Sequence, residues 1–312
     1  MKVFISFTLG LSFFFGLSQN ARPVDFKEIV EMFPNVRDLA ISPNGNELFF
    51  SAQNVLKDRS VLITLKKNNG SWENPKPASF SGVFHDMEPF FSKDGLRLYF
   101  VSNRPLDSNS KDTKDYDIWY VQRDNLNVNW SEPINLGAPV NSDSNEFYPS
   151  LADNNNMYFT REDPDQKTRD DLYFSLYING SYHNPVKLPE TINSDGYDYN
   201  AFIAPDESYI IYGSYQREDS FGSGDMYIRF KKENTWTPAQ HLDTPVNSKK
   251  LDYSPFVDYN TNTFFFTSER AVESAPTPDA LDLDSVLKEF RKYSNGQSRL
   301  YQIELGEILN EH

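Results

Sequence analysis

Apolar and polar positions alternate with a period of two through most of this chain, in short runs broken by Gly, Pro, Asn and Asp. "FHDMEPFFSKDGLRLYFVSNR" at 84–104 is typical: two alternating, aromatic-rich runs flank a Lys-Asp-Gly turn. Such a pattern predicts two antiparallel strands joined by a tight turn. The pair of runs recurs. Its second run ends on an aromatic or apolar pair, Phe49-Phe50, Tyr99-Phe100, Tyr158-Phe159, Ile211-Tyr212 and Phe265-Phe266, at intervals of 50, 59, 53 and 54 residues. Each copy continues into a third run that opens Asp-apolar-aromatic, as in "YDIWYV", "DDLYFS" and "GDMYIR". A fourth follows phrases such as "WENP", "WSEP", "WTPA" and the variant "YHNP".

A repeat near fifty residues with four predicted strands is the size of one propeller blade. The expected fold is all-β, a five-bladed β-propeller of four-stranded antiparallel blades. A short helical insertion in the last blade is expected from "DALDLDSVLKEFRKY". The blades span about 35–82, 83–142, 143–194, 195–248 and 249–312. The fifth copy has too little sequence after "SRLYQIEL" for a fourth strand. Residues 19–34 belong to no blade, so "ARPVDFKEIVEMF" is a candidate ring-closing strand. Its apolar spacing also suits a helix.

The phrases "SKDG", "LRLYFVSNR" and "YDIWY" resemble the TolB-type, WD40-like β-propeller repeat over roughly residues 35–305. The resemblance implies the propeller fold. It says little about function, because one fold hosts many activities.

Composition narrows the function. Thirty Lys and Arg against 45 Asp and Glu give a net charge of −15, which disfavours nucleic acid and anionic membranes as partners. The absence of cysteine excludes disulfides, thiolate catalysis and a lipoprotein anchor. "MKVFISFTLGLSFFFGLS" reads as a signal peptide (1–18) with cleavage before Gln19, so the expected location is periplasmic or secreted, without a membrane anchor. No metal or cofactor motif is present, and none is expected.

Blade topology puts the long loops after each second strand on the same face as the entries to each first strand. Long insertions on one face mark it as the binding face. Along the entries an acidic column recurs (Asp86, Glu146, Asp198, Asp252), which reads as scaffold. Neighbouring columns vary: His85, Asn145, Tyr197 and Leu251, then Glu88, Tyr148, Asn200 and Ser254. Variation within a repeat is where a site can sit. Arg37, Arg104, Arg161 and Arg270 gather near this rim, either to pair with the acidic column or to bind an anion bidentately.

These residues suit β-elimination on a uronic-acid sugar, which needs a base, a proton donor and a cation for the developing enolate. The expected catalytic set is His85, Tyr148, Tyr199 and Arg161, with Arg37, Arg104, Asn200, Tyr253 and Arg270 binding an acidic oligosaccharide. The product would be an unsaturated uronate, formed by a dehydratase or a lyase. Oligogalacturonate lyase and ulvan-oligosaccharide dehydratases are similar propellers. Two alternatives stand beside this reading. One is a non-catalytic TolB-like propeller that binds an envelope protein or glycan, and the other is a glycosidase using two facing carboxyls.

Overall fold

A computed structural model describes residues 20–163, 166–233, 235–272 and 280–310. The proposed signal peptide and His312 lie outside them. The described residues contain twenty-four strands and three short helices, and the strands build five antiparallel blades, so the all-β five-bladed propeller is observed. The first strands of the blades are Asn35–Ile41, Asp86–Phe91, Glu146–Leu151, Tyr197–Ile203 and Asp252–Asp258. Each touches the first strand of the blade before and after it, which closes the ring and makes these five strands the wall of the central channel.

The turns after the first strands explain the recurring "SPNG" phrase. Ser42 O accepts from Gly45 N at 2.7 Å, and Ser92 O from Gly95 N at 2.9 Å. The closing residue has a left-handed backbone in every blade: Gly45, Gly95, Asn155, Glu207 and Asn262, with φ between 52° and 69°. Glycine adopts this conformation freely, and Asn tolerates it.

The fifth blade is assembled from both ends of the described chain. Its third strand, Arg299–Glu304, runs into a helix, Leu305–Asn310, and not into a fourth strand. The outer position is taken by Arg22–Pro23, paired antiparallel with Gln302 and Tyr301. A helical turn, Lys27–Val30, follows at once, so the segment carries both a strand and a helix. Val24, Phe26 and Val30 are buried in the largest core cluster, beside Leu48, Phe264 and Leu300. The insertion in this blade holds the helix Leu283–Phe290, capped by Asp282, whose side chain accepts from Ser285 N at 2.8 Å.

The channel is not an open pore. Phe202 of blade 4 meets Phe90 of blade 2 at 6.4 Å and Phe256 of blade 5 at 6.1 Å between ring centroids. Blades 2 and 4 are not neighbours, so these rings cross the axis. Among the described residues no helix is long and apolar enough to cross a membrane.

Removing residues 20–33 strips blade 5 of its outer strand and the core of three buried apolar side chains, each worth about 1.5–3 kcal/mol. The expected result is a melting temperature lower by at least about 10 °C. Differential scanning calorimetry checks this, and an unchanged midpoint would mean that the ring closes without the segment.

Candidate active site

Each first strand breaks register once, between Arg37 and Leu39, Met87 and Phe90, Phe147 and Ser150, Tyr199 and Phe202, and Tyr253 and Phe256. The residue at the break is left-handed in all five blades: Asp38, Glu88, Tyr148, Asn200 and Ser254, with φ from 48° to 57°. None is glycine. A bulge of this kind re-aims a side chain. Here the five meet in one hydrogen-bonded layer across the axis.

Glu88 is its hub. Its carboxylate accepts from Arg37 Nη2 at 2.7 Å, Tyr148 N at 2.7 Å and Asn200 Nδ2 at 3.2 Å. Arg37 Nε also holds Asp38, whose Oδ1 accepts from Ser254 Oγ at 2.6 Å. The Tyr148 hydroxyl donates to Pro255 O at 2.9 Å, on the far side of the channel.

The backbone of the layer is tied to the preceding blade. Glu88 N donates to Ser51 Oγ, Asn200 N to Thr160 Oγ1 and Asp38 N to Thr267 Oγ1, at 3.1, 3.0 and 3.3 Å. The column of acceptors reads Ser51, Val101, Thr160, Gly213, Thr267. Its two exceptions shape the site. Beside Val101, Tyr148 N turns to Glu88. At Gly213 the missing side chain admits the ring of Tyr199, whose Cε2 lies 2.6 Å from where a Cβ would be, and Gly224 leaves similar room for its hydroxyl at 2.3 Å.

Above this layer is a pocket of about 550 Å³ lined by Arg37, Glu88, Asp170, Asn200, Thr160 and a wall of Tyr197, Tyr199, Tyr215 and Tyr253, with Met87, Phe147, Ser223 and Leu251. Burial pushes the Glu88 carboxyl up to about 7, against the pull of Arg37. Asp170 is pushed up to about 6, again chiefly by burial, then by the neighbouring charges of Glu162 and Asp171. Burial works against the charge on Arg37, but Asp38, Tyr253 and Glu88 keep it firmly protonated. The pocket therefore holds two carboxyls titrating near neutrality against a tyrosine wall. Neither acid was among the residues expected from the sequence. Glu88 stood in a variable column and was visible there, whereas nothing local in the sequence distinguishes Asp170.

Of the expected residues, Tyr199, Arg37, Asn200 and Tyr253 line this pocket. The others do not. His85 lies at the rim, its ring edge-on to Tyr116 at 5.7 Å, with Tyr116 in turn beside Phe147. Its Nε2 is 3.3 Å from Lys57 O, its Nδ1 is buried without a partner, and burial lowers its pKa. Tyr148 spans the channel with its hydroxyl committed and its pKa pushed well up by burial, so it is a poor base.

The three remaining arginines tie the acidic residue of their own blade to the segment that leads in from the blade before. Arg104 Nη2 donates to Asp86 at 2.6 Å and to Phe80 O, Arg161 Nε to Glu146 at 2.8 Å, and Arg270 Nη2 to Asp252 at 3.1 Å. Arg161 and Arg270 also bond Val140 O and Val246 O. Each guanidinium is stacked by aromatics of the second and third strands: Phe100 and Trp119, Phe159 and Tyr173, Phe266 and Tyr301. The acidic column is their counter-ion, and none of the three lines the channel pocket.

No protein-family model matches the chain, and no curated protein matches it. Solved structures match in fold. A glycoside hydrolase aligns over 86% of both chains at 7% identity, with a TM-score of 0.53. An α-L-arabinofuranosidase from Podospora anserina aligns over 86% of this chain and 90% of its own, at 12% identity and a TM-score of 0.48. TolB from Acinetobacter baumannii aligns over 86% of this chain and 54% of its own, at 12% identity and a TM-score of 0.45. The chain thus spans about half the length of TolB. At such identities the likeness is one of fold alone.

Replacing Arg161 by Met is expected to cost about 3–5 kcal/mol, because Glu146 is left buried without its counter-ion and held only by Ser142. Burial already pushes Glu146 up to about 7, so without the guanidinium its carboxyl ionises only at still higher pH. A carboxyl whose folded pKa lies above its unfolded value stabilises the fold least where it must ionise. The variant's stability should therefore fall as pH rises from 5 to 8, measured by urea unfolding. A pH-independent loss would mean that Glu146 does not respond to Arg161.

Proposed function

We propose that the channel-mouth pocket binds a saccharide and hydrolyses a glycosidic bond, with Glu88 as general acid and Asp170 as general base. The observation that carries this is the presence of two carboxyls, Glu88 and Asp170, in the lining of one pocket, both pushed upward chiefly by burial. Two raised carboxyls in one pocket can divide the work, the more buried Glu88 keeping its proton as the acid and Asp170 serving as the base. The tyrosine wall suits the apolar faces of a sugar ring.

In the reaction, the Glu88 carboxyl gives its proton to the glycosidic oxygen as the bond from that oxygen to the anomeric carbon breaks. Asp170 takes a proton from a water whose oxygen bonds to the same carbon. One water is consumed, and both carboxyls then regain their starting states by exchange with solvent. Arg37, Asn200 and the Tyr148 N–H hold Glu88 in place for the transfer. The fold match to a glycoside hydrolase is in keeping with this reading and does not carry it.

The uronate elimination expected from the sequence has one observation in its favour, the presence of Arg37 and Tyr199 in the same pocket. Tyr199 would then be the base and Arg37 the cation. Burial, however, raises the Tyr199 phenol, and Arg37 is already shared between Asp38 and Glu88. A uronate carboxylate would enter a site with more negative groups than positive ones. This favours hydrolysis of a sugar without a carboxylate.

A panel of neutral and uronate oligosaccharides separates the readings. Hydrolysis releases new reducing ends with no ultraviolet change, whereas elimination creates an absorbing double bond. For hydrolysis, kcat/KM should rise with pH through about 6, as Asp170 loses its proton, and fall above about 7, as Glu88 loses its own. Glu88→Gln should lower kcat by at least about 100-fold and leave binding largely intact. Saccharide binding without any product from the panel would overturn the catalytic reading.

A further inference from the structure

Blade 4 lacks the clip that closes the rims of blades 2, 3 and 5. Its acidic residue, Asp198, is fully buried, and its second strand carries Ser214 where blade 2 has Ser102. Two residues later, where blades 2 and 5 place Arg104 and Arg270, stands Gln216, exposed and with φ 67°. Arg217 does not replace the lost cation. Its guanidinium lies over Tyr227 at 4.6 Å, and its Nε is 3.9 Å from Asp219. Asp198 Oδ2 accepts from Ser194 N and Oγ, but Asp198 Oδ1 and Ser214 Oγ, the equivalents of atoms that hold a guanidinium in blade 2, have no partner.

With no arginine to seal it, the rim of blade 4 opens into a cavity of about 680 Å³ lined by Ser194, Asp195, Gly196, Gln216, Arg217, Glu218 and Asp219. This cavity adjoins the channel pocket. Gly196 and Gln216 line the one, and the next residues along the same strands, Tyr197 and Tyr215, line the other. Tyr197 and Tyr215 are cross-strand partners with ring centroids 6.1 Å apart, and Tyr215 is 37% exposed. They form an aromatic step between the two cavities. Beyond the step, three carboxylates face one guanidinium.

We infer that the substrate is an oligosaccharide that leaves the channel pocket over Tyr197 and Tyr215 and seats its next unit in the blade-4 cavity, a unit that carries no carboxylate. This rests on the saccharide reading above and adds to it a length requirement, a direction and a charge preference. A stepped aromatic pair suits successive sugar rings, while Asp195, Glu218 and Asp219 repel a uronate and accept hydroxyl or amino hydrogens.

Titration calorimetry with Glu88→Gln protein, to prevent turnover, tests the inference with a neutral monosaccharide, its trisaccharide and a uronate trisaccharide. The neutral trisaccharide should bind at least about tenfold tighter than the monosaccharide, and the uronate trisaccharide no tighter than the neutral monosaccharide. Adding Gln216→Arg, which puts a guanidinium into the blade-4 cavity at the position of Arg104 and Arg270 and outside the channel-pocket lining, should abolish the length advantage and leave monosaccharide affinity unchanged. Equal affinity for both lengths, a length advantage that survives Gln216→Arg, or preference for the uronate would overturn the inference. Failure of every sugar to bind would instead remove the saccharide reading on which it stands.

Discussion

The left-handed bulge in each inner strand is the constraint on which the rest depends. Forcing a residue other than glycine into that backbone costs about 1–3 kcal/mol, and this chain does so at Asp38, Glu88, Tyr148, Asn200 and Ser254. Three of these backbones are held by a hydroxyl from the preceding blade, so the strain is supported by the ring and not by any single sheet. In return, five side chains that regular strands would send elsewhere meet on the axis. The hydrogen-bonded layer, the buried Glu88 and the floor of the pocket all follow from that one departure.

Scaffold and site occupy adjacent columns of the same repeat. The acidic column pairs with arginines and closes blade rims. The column two residues on is free to differ, and it forms the hydrogen-bonded layer under the pocket. Exceptions in the supporting columns do further work: Val101 sends the Tyr148 amide to Glu88, Gly213 makes room for Tyr199, and Gln216 leaves one rim unsealed. Repetition builds the frame, and its lapses build the cavities.

The repeat was legible because the aromatic pairs recur at nearly constant intervals and each second strand is buried along most of its length. The ring-closing role of Arg22–Pro23 was ambiguous, since two paired residues leave no alternation to read and the turn behind them is truly helical. The arginines misled for a different reason. Their density at one rim suggests anion binding, but only the folded blade brings Arg161 onto Glu146 and under the carbonyl of Val140. His85 drew notice by its place at a strand entry, but a place in the repeat does not fix where the ring ends up; the pocket lies two rings away, past Tyr116 and Phe147. Glu88 was visible as a member of a variable column, but its role as hub was not, because nothing in a glutamate signals the left-handed backbone that turns it onto the axis.

The three phenylalanines that meet across the axis give the cup a solid base. Whatever enters must come back out through the same door. If the pocket cuts saccharides as proposed, a linear polymer would be worked on only from its tip, and each freed piece would have to clear the entrance before the shortened chain could advance. Under that proposal, product would be a natural rival of substrate, and turnover would depend on how loosely the tyrosine wall grips what has just been cut.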